Sequence, residues 1–433
     1  MPSVDTPLPV AMPLAVDKQL GPQRRTRRTG RQRPHGRPYS TRGTSSGISS
    51  AASQALREVV PGVGRSNPPG RPRRTCYMST TMTRATRIDA SRAPEGRRAA
   101  DPLGTGMLST EAIGAGYCPF PISTDPRQFG LTTSTMRLAH GVVVVRHGRR
   151  TLGDTATILL HGAAGSWTTW TPLLAAAASG TPASQRHAET DAATLPLTDL
   201  IVADLPGWGE SALAADPADR TVEALAATVA EVARALGYRR WVVLGHSMGG
   251  FVALQLAASE PESTVSVALI SPTTFSVIDS VRHPVTRGAA LPAYTALLMM
   301  MRLLAGLGRV GEALIAGVAR LSLLRLLVSP LFDRAARMDA TVIAALASEV
   351  RPVGFTVASA QAGGYDAAER WSRIVCPVRS VTGDSDVFIA ASDAERLRGV
   401  IANFETVIMA GAGHFAHIER PFTVLTALNA HEG

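Results

Sequence analysis

Val242-Val-Leu-Gly-His-Ser-Met-Gly-Gly-Phe-Val-Ala-Leu-Gln-Leu256 is the stretch that decides how this chain folds. Trp241 to Leu244 is a short run of β-branched and apolar residues, the composition of a buried strand. Gly250 to Ser259 carries a helical pattern. Between them, Gly245-His246-Ser247-Met248-Gly249 puts Ser247 at the apex of a sharp turn. The flanking glycines remove Cβ atoms that such a turn cannot accommodate. The start of the following helix points backbone N–H groups at the same place as the serine hydroxyl. In a chain with 39 glycines a lone Gly-x-Ser-x-Gly has little specificity. Here the strand before it and the helix after it are both present, which is the context that gives the motif meaning.

Outward from this turn, strands and helices alternate. Thr135 to Ala139 and Gly141 to Arg146 read as a strand pair, followed by strands at Thr157–Leu160, Leu200–Ala203, Val265–Ile270, Val378–Thr382 and Glu405–Met409. Helices are predicted over Trp170–Ala178, Thr221–Leu236, Ala391–Ile401 and Pro421–Leu428. This is the pattern of an α/β fold, a mostly parallel central sheet with helices on both faces. From 274 to 370 the strand pattern gives way to apolar helical segments, Leu291–Leu307, Val310–Leu327 and Ala340–Val350. They read as a helical cap inserted between two parts of the core, residues 131–273 and 371–433.

The net charge of +10 is misleading, because residues 1–100 hold 18 Arg and one Lys against five acids. The remainder is therefore mildly acidic. Residues 1–130 are rich in Pro, Gly, Ser, Thr and Arg without periodicity, and read as a disordered basic tail. Its arginines between Arg24 and Arg37 fit a nucleic-acid or anionic surface, or an organellar transit peptide. Within residues 1–100 only Tyr39 and Tyr77 are available to stack on bases, so no nucleic-acid partner is required. A solvated tail is favoured, or a later start at Met78, Met82 or Met107. Cys76, Cys118 and Cys376 are too few and scattered for a disulfide framework or a zinc site, which points to a reducing, cytoplasmic setting. No apolar run reaches the length of a transmembrane helix. The longest, Gly288 to Met301, contains Pro292 and is closed by Arg302.

A serine hydroxyl needs a general base, normally a histidine held in one tautomer by a carboxylate. Asp384 and Asp386 in Gly383-Asp-Ser-Asp386 follow one strand, and His414 in Gly411-Ala-Gly-His414 follows the next. All of them lie at carboxyl ends of strands, as Ser247 does, so the fold can bring them together. Together with His161-Gly162 and Asp204-Leu-Pro-Gly-Trp-Gly-Glu-Ser211, these motifs resemble the α/β-hydrolase family in its cap-bearing form, over residues 134–433. The resemblance implies Ser247 as nucleophile, His414 as general acid/base and Asp386 as its orienting partner, with Asp384 as the alternative. It also implies the backbone N–H groups of Met248 and Ala163 as oxyanion donors. Ala390 departs from the family, which often has proline there. The expected activity is hydrolysis of a carboxylic ester or related acyl bond of a small apolar substrate through an acyl-serine, with no metal or organic cofactor. The same motifs also fit cofactor-free perhydrolysis, carbon–carbon bond hydrolysis of a dienoic diketone, or a non-catalytic receptor for a small ligand.

Other conspicuous residues have competing readings. Trp167, Trp208 and His246 could line a substrate pocket, or pack in the core. His161 fits a loop-shaping hydrogen bond better than a reactive role. His414 and His417 have the spacing of a metal pair on a helix, but no third ligand is nearby in sequence. Asp204 reads as a buttress for the loop before Gly207, and Leu298-Met-Met-Met301 as cap core.

Overall fold

The computed structural model describes residues 105–108, 116–151, 153–180, 197–284, 286, 290–320 and 324–429. Nine strands form one sheet: β1 Thr105–Leu108, β2 Thr132–Leu138, β3 Gly141–His147, β4 Thr155–Leu160, β5 Leu200–Ala203, β6 Arg240–His246, β7 Thr264–Ile270, β8 Val378–Gly383 and β9 Phe404–Met409. Their order is β1-β9-β8-β7-β6-β4-β5-β3-β2. The β2–β3 hairpin and the β3–β5 pairing are antiparallel, and every other pairing is parallel. The sheet is thus mostly parallel, as the alternating pattern requires.

The continuous apolar runs are explained by burial on both faces. In β4, Ile158 and Leu160 join one core cluster while Leu159 joins the other. Val243 and Leu244 in β6 divide in the same way, as do Leu269 and Ile270 in β7. The helices are α1 Thr171–Ser179, α2 Val222–Ala235, α3 Met248–Ser259, α4 Phe275–Arg282, α5 Pro292–Gly306, α6 Arg309–Arg320, α7 Leu324–Val328, α8 Ala340–Ser348, α9 Pro352–Gly364, α10 Ala367–Trp371, α11 Ala391–Val400, α12 Ala416–Glu419 and α13 Pro421–Asn429. Helices α2 and α3 cover one face, and α1 and α13 the other.

Between β7 and β8 the described elements are helical, α4 through α10 with short 3-10 turns. Over the expected Val310–Leu327 helix the described residues form α6 and α7, with 321–323 outside the described residues, and α4 and α9 have no counterpart in the periodicity reading. The Leu298–Met301 stripe divides: Leu298 and Met301, three residues apart, are buried with Tyr294 and Phe355, while Met299 and Met300 are exposed. This is one helical face turned inward.

The expectation of disorder up to residue 130 is corrected over part of its length. Thr105–Leu108 pairs with β9, and residues 116–130 pack on the domain. Tyr117 and Ile122 are buried. The backbone N–H of Cys118 donates to the carbonyl of Glu419 at 2.8 Å, that of Ile122 to Thr341 Oγ1 at 2.8 Å, and that of Ser123 to Thr171 Oγ1 at 3.0 Å. Such a segment is held residue by residue, so it leaves no periodic signal. The remainder of the expected tail, residues 1–104 and 109–115, lies outside the described residues.

Candidate active site

Ser247 follows the last residue of β6 and precedes the first of α3. Its φ is +52°, a conformation that costs a non-glycine residue about 1–3 kcal/mol and persists only where the surroundings enforce it. The enforcement is visible at the neighbouring glycines. A Cβ on Gly245 would lie 2.6 Å from the carbonyl oxygen of Gly249, and one on Gly249 would lie 2.0 Å from that of Leu160. A Cβ on Gly162 would lie 2.8 Å from Ser247 Cβ, so the loop after β4 touches the turn. Gly249→Ala should therefore destabilise the domain by about 1–3 kcal/mol, read as a lower denaturation midpoint with unchanged m-value. An unchanged midpoint would mean that the turn is looser than its packing implies.

His414 sits five residues beyond β9, and Asp386 three beyond β8. The hydroxyl of Ser247 lies 3.0 Å from His414 Nε2, and both carboxylate oxygens of Asp386 lie 3.0 Å from His414 Nδ1. The carboxylate fixes the tautomer: Nδ1 carries the proton and donates it to Asp386, leaving Nε2 to accept from the serine. Burial by itself would push the Asp386 carboxyl up, but the His414 imidazole and the N–H of Phe388 outweigh it and hold it below the usual carboxylate range. Asp384 faces elsewhere and accepts from the N–H of Gly411 at 2.9 Å. Of the two carboxylates, the one in contact with the imidazole is Asp386.

The sequence model of the alpha/beta hydrolase family matches residues 157–428, more than half of the chain. The chain belongs to the alpha/beta hydrolase family. It is 33% identical over 147 residues to the dihydrolipoyllysine-residue acetyltransferase component of the acetoin cleaving system of Cupriavidus necator, a match over 33% of each chain. The chain spans only about a quarter to a third of the length of the curated relatives it matches. Among solved structures, Cfl2 of Burkholderia cenocepacia superposes with a TM-score of 0.52 at 19% identity, over 71% of this chain and 98% of that one. The unliganded epoxide hydrolase CorEH gives 0.51 at 18% identity, over 69% and 97%. Both share the fold.

In this alpha/beta hydrolase, Ser247 and His414 open onto a cavity of about 520 Å³. Its wall is almost wholly apolar, with Leu225 and Phe251 on the core side and Tyr294, Leu304, Leu331 and Phe355 from the helical insertion. Ala163 and Met248 line the same cavity. Met248 opens α3, so its N–H has no carbonyl one turn earlier to bond. These are the two positions expected to hold oxyanion donors: Met248 follows Ser247, and Ala163 follows Gly162, on which a Cβ would lie 2.8 Å from Ser247 Cβ.

The three further pocket candidates do not reach that wall. Trp167 is buried in the core against Trp170 and Leu173, with the Arg146 guanidinium 5.0 Å from its ring. Trp208 packs in the opposite core cluster and borders a separate narrow crevice beside Gly354. His246 points under the turn, where its Nε2–H donates to the carbonyl of His414 at 2.9 Å. Burial, with His417 and His414 adding to it, pushes His246 well below the ordinary imidazole range, so it stays neutral. In each case a large side chain next to a motif fills core.

The other polar residues brace the loops. His161 Nδ1–H donates to the carbonyl of Gly162 at 2.8 Å and its Nε2 accepts from the N–H of Leu205 at 3.0 Å, tying the loop after β4 to the loop after β5. Asp204 pairs with Arg146 and accepts from the N–H groups of Trp167 and Glu210 at 2.8 and 3.0 Å. His417 is fully buried between Trp170 and His246, ring centroids 4.9 and 4.4 Å away, and burial pushes it down to about 3. Among the described residues, no three His, Cys, Asp or Glu side chains are grouped to hold a metal ion. Sequence reasoning missed Phe388, whose N–H donates to Asp386 at 2.8 Å and whose ring meets His414 edge-on at 4.9 Å. Its only sequence signal is an aromatic two residues after the acid.

Proposed function

We propose that the protein is a serine hydrolase that cleaves a carboxylic ester, or a related acyl bond, of a small apolar substrate through an acyl-serine. The observation that carries this reading is the Ser247–His414–Asp386 chain of hydrogen bonds at the floor of an apolar cavity. Ser247 Oγ attacks the carbonyl carbon as His414 Nε2 takes the hydroxyl proton, and the imidazolium is stabilised by Asp386. The oxyanion is received by the N–H groups of Met248 and Ala163, each worth roughly 3–4 kcal/mol in the transition state. His414 returns its proton to the departing alcohol. Water, deprotonated by the same imidazole, then releases the acid. A cytoplasmic setting is part of the proposal, supported by the free thiols of Cys118 and Cys376.

A fluorophosphonate probe tests the assignment: it should phosphonylate Ser247, and Ser247→Ala should remove the label. A protein that binds a small apolar ligand yet resists the probe would be a receptor on this fold. The cavity wall makes a second expectation. A medium-chain acyl group covers apolar surface that acetate leaves wet, at about 0.8 kcal/mol for each buried methylene. kcat/KM on p-nitrophenyl octanoate should therefore exceed that on the acetate by at least tenfold. Acetate as the better substrate would show that the acyl group does not occupy this cavity.

A further inference from the structure

Glu419 lies at the end of α12, five residues past His414, and its side chain is fully buried. Three donors converge on it. Its Oε1 accepts from the N–H of Gly413 at 2.9 Å, and its Oε2 from the hydroxyl of Tyr117 at 2.7 Å and the N–H of Asp333 at 2.9 Å. These donors belong to the turn that carries His414, to the segment before β2, and to the corner of the helical insertion between α7 and α8. Tyr117 is itself committed as a donor, because its oxygen accepts from the N–H of Arg334 at 2.8 Å.

The same corner presses on the histidine turn. The N–H of His414 donates to the carbonyl of Leu331 at 2.8 Å, and a Cβ on Gly413 would lie 2.5 Å from that oxygen. Leu331 in turn lines the cavity. One carboxylate thus holds both the base and a piece of the substrate wall. We propose that Glu419 is a positioning residue that locks the His414 turn to the roof of the cavity, and that it does so as a carboxylate. This rests on the reading of Ser247 and His414 given above.

The hydrogen-bond arithmetic explains the dependence on charge. All three partners are donors, so a proton on Glu419 adds a fourth donor to a site with no acceptor to receive it. Either that O–H goes unsatisfied or one of the three bonds is lost. Among the other groups around it, Asp333 and Arg334 come from the insertion corner, while Asp339 at the start of α8 acts on the neighbouring Cys118. Cys118 lies beside Tyr117, and Arg420 and His417 flank it on its own segment. The Arg334 and Arg420 guanidinium groups lie 5.9 and 5.0 Å from the centre of the Tyr117 ring. Burial pushes the Glu419 carboxyl from 4.5 up to about 7, its three donors oppose the rise, and the Asp333 charge adds to it.

The sign follows from that elevation. A carboxyl raised by folding contributes stability that is fully present below its unfolded value of 4.5 and is lost as pH rises through about 7. Protonation near neutrality therefore favours the folded chain while it removes the lock on His414. Mild acid would slow the site about tenfold without unfolding the protein.

The test is the rate of fluorophosphonate labelling of Ser247 in the full chain, between about pH 5 and 9, for the wild type, Glu419→Gln and Tyr117→Phe. The wild type should lose reactivity towards acid in a step of about tenfold that reports the proton taken up by Glu419. Glu419→Gln should lack that step and hold a plateau roughly tenfold lower, the scale of a slightly misplaced base. Tyr117→Phe removes one donor from the carboxylate, so the acid step should move about one pH unit higher. A Glu419→Gln profile that superposes on the wild type overturns the proposal, as does an unshifted Tyr117→Phe profile. Should Glu419→Gln fail to fold, Tyr117→Phe decides. Labelling with unmoved profiles defeats the role of Glu419 alone, whereas no labelling of the wild type at any pH defeats the nucleophile assignment and this proposal with it.

Discussion

Ser247→Ala should lower ester turnover by roughly five to six orders of magnitude, and His414→Ala should lower it by a similar amount. The double variant should be scarcely worse than either single one. Without the hydroxyl there is no acyl-serine for the imidazole to form or break down, and without the imidazole the hydroxyl stays protonated. What remains, about a thousand- to ten-thousand-fold over water, is the contribution of the oxyanion N–H groups and substrate binding. The geometry makes this coupling specific, because the 3.0 Å contact between Ser247 Oγ and His414 Nε2 is the only link the mechanism needs between β6 and β9. Steady-state kinetics on a p-nitrophenyl ester, with active-site titration to exclude contaminating enzyme, measures all three variants. Single-variant losses that multiply in the double variant would show that the two side chains act separately, and the proposed mechanism would be wrong.

The parts of the fold that were legible in the sequence are those where one physical demand dominates. Strands β4, β6 and β7 are buried on both faces, so Ile158, Val243 and Leu269 sit in unbroken apolar runs and announce themselves. The turn at Ser247 announces itself too, because backbone approach forbids a side chain at Gly245 and Gly249. Residues 116–130 carry no such demand: Cys118, Ile122 and Ser123 are held by three different partners from distant parts of the chain, such as Thr341 for Ile122. The limits were the same in the site. Ser247, Asp386 and His414 are each fixed by a local motif at a strand end. Phe388 and Glu419 are placed by contacts across the fold, and a large apolar or acidic residue near a motif has no distinguishing mark before those contacts are known. Trp167, Trp208 and His246 show the converse, since nearness to a motif in sequence carried them into the core and away from the cavity.

Asp386→Asn should cost roughly ten-thousand-fold in kcat, while Asp384→Asn should cost little. Replacing the carboxylate with an amide leaves the shape almost unchanged but offers one oxygen and one NH2 to His414 Nδ1. When the NH2 faces the ring, Nδ1 must accept, the proton moves to Nε2, and the serine meets a donor where it needs an acceptor. When the oxygen faces it, the tautomer is retained, but the imidazolium formed during attack has lost its counter-charge. Both effects act in the transition state, so kcat falls and KM changes little. Asp386 is positioned for this role by its depressed carboxyl, which keeps it charged against the burial that would neutralise it. Asp384 instead accepts from the Gly411 N–H at the exposed edge of the turn, where an asparagine oxygen does the same. If Asp384→Asn proved the more damaging of the two, the imidazole would have to swing away from Asp386 during turnover, and the acid of the site would have to be reassigned.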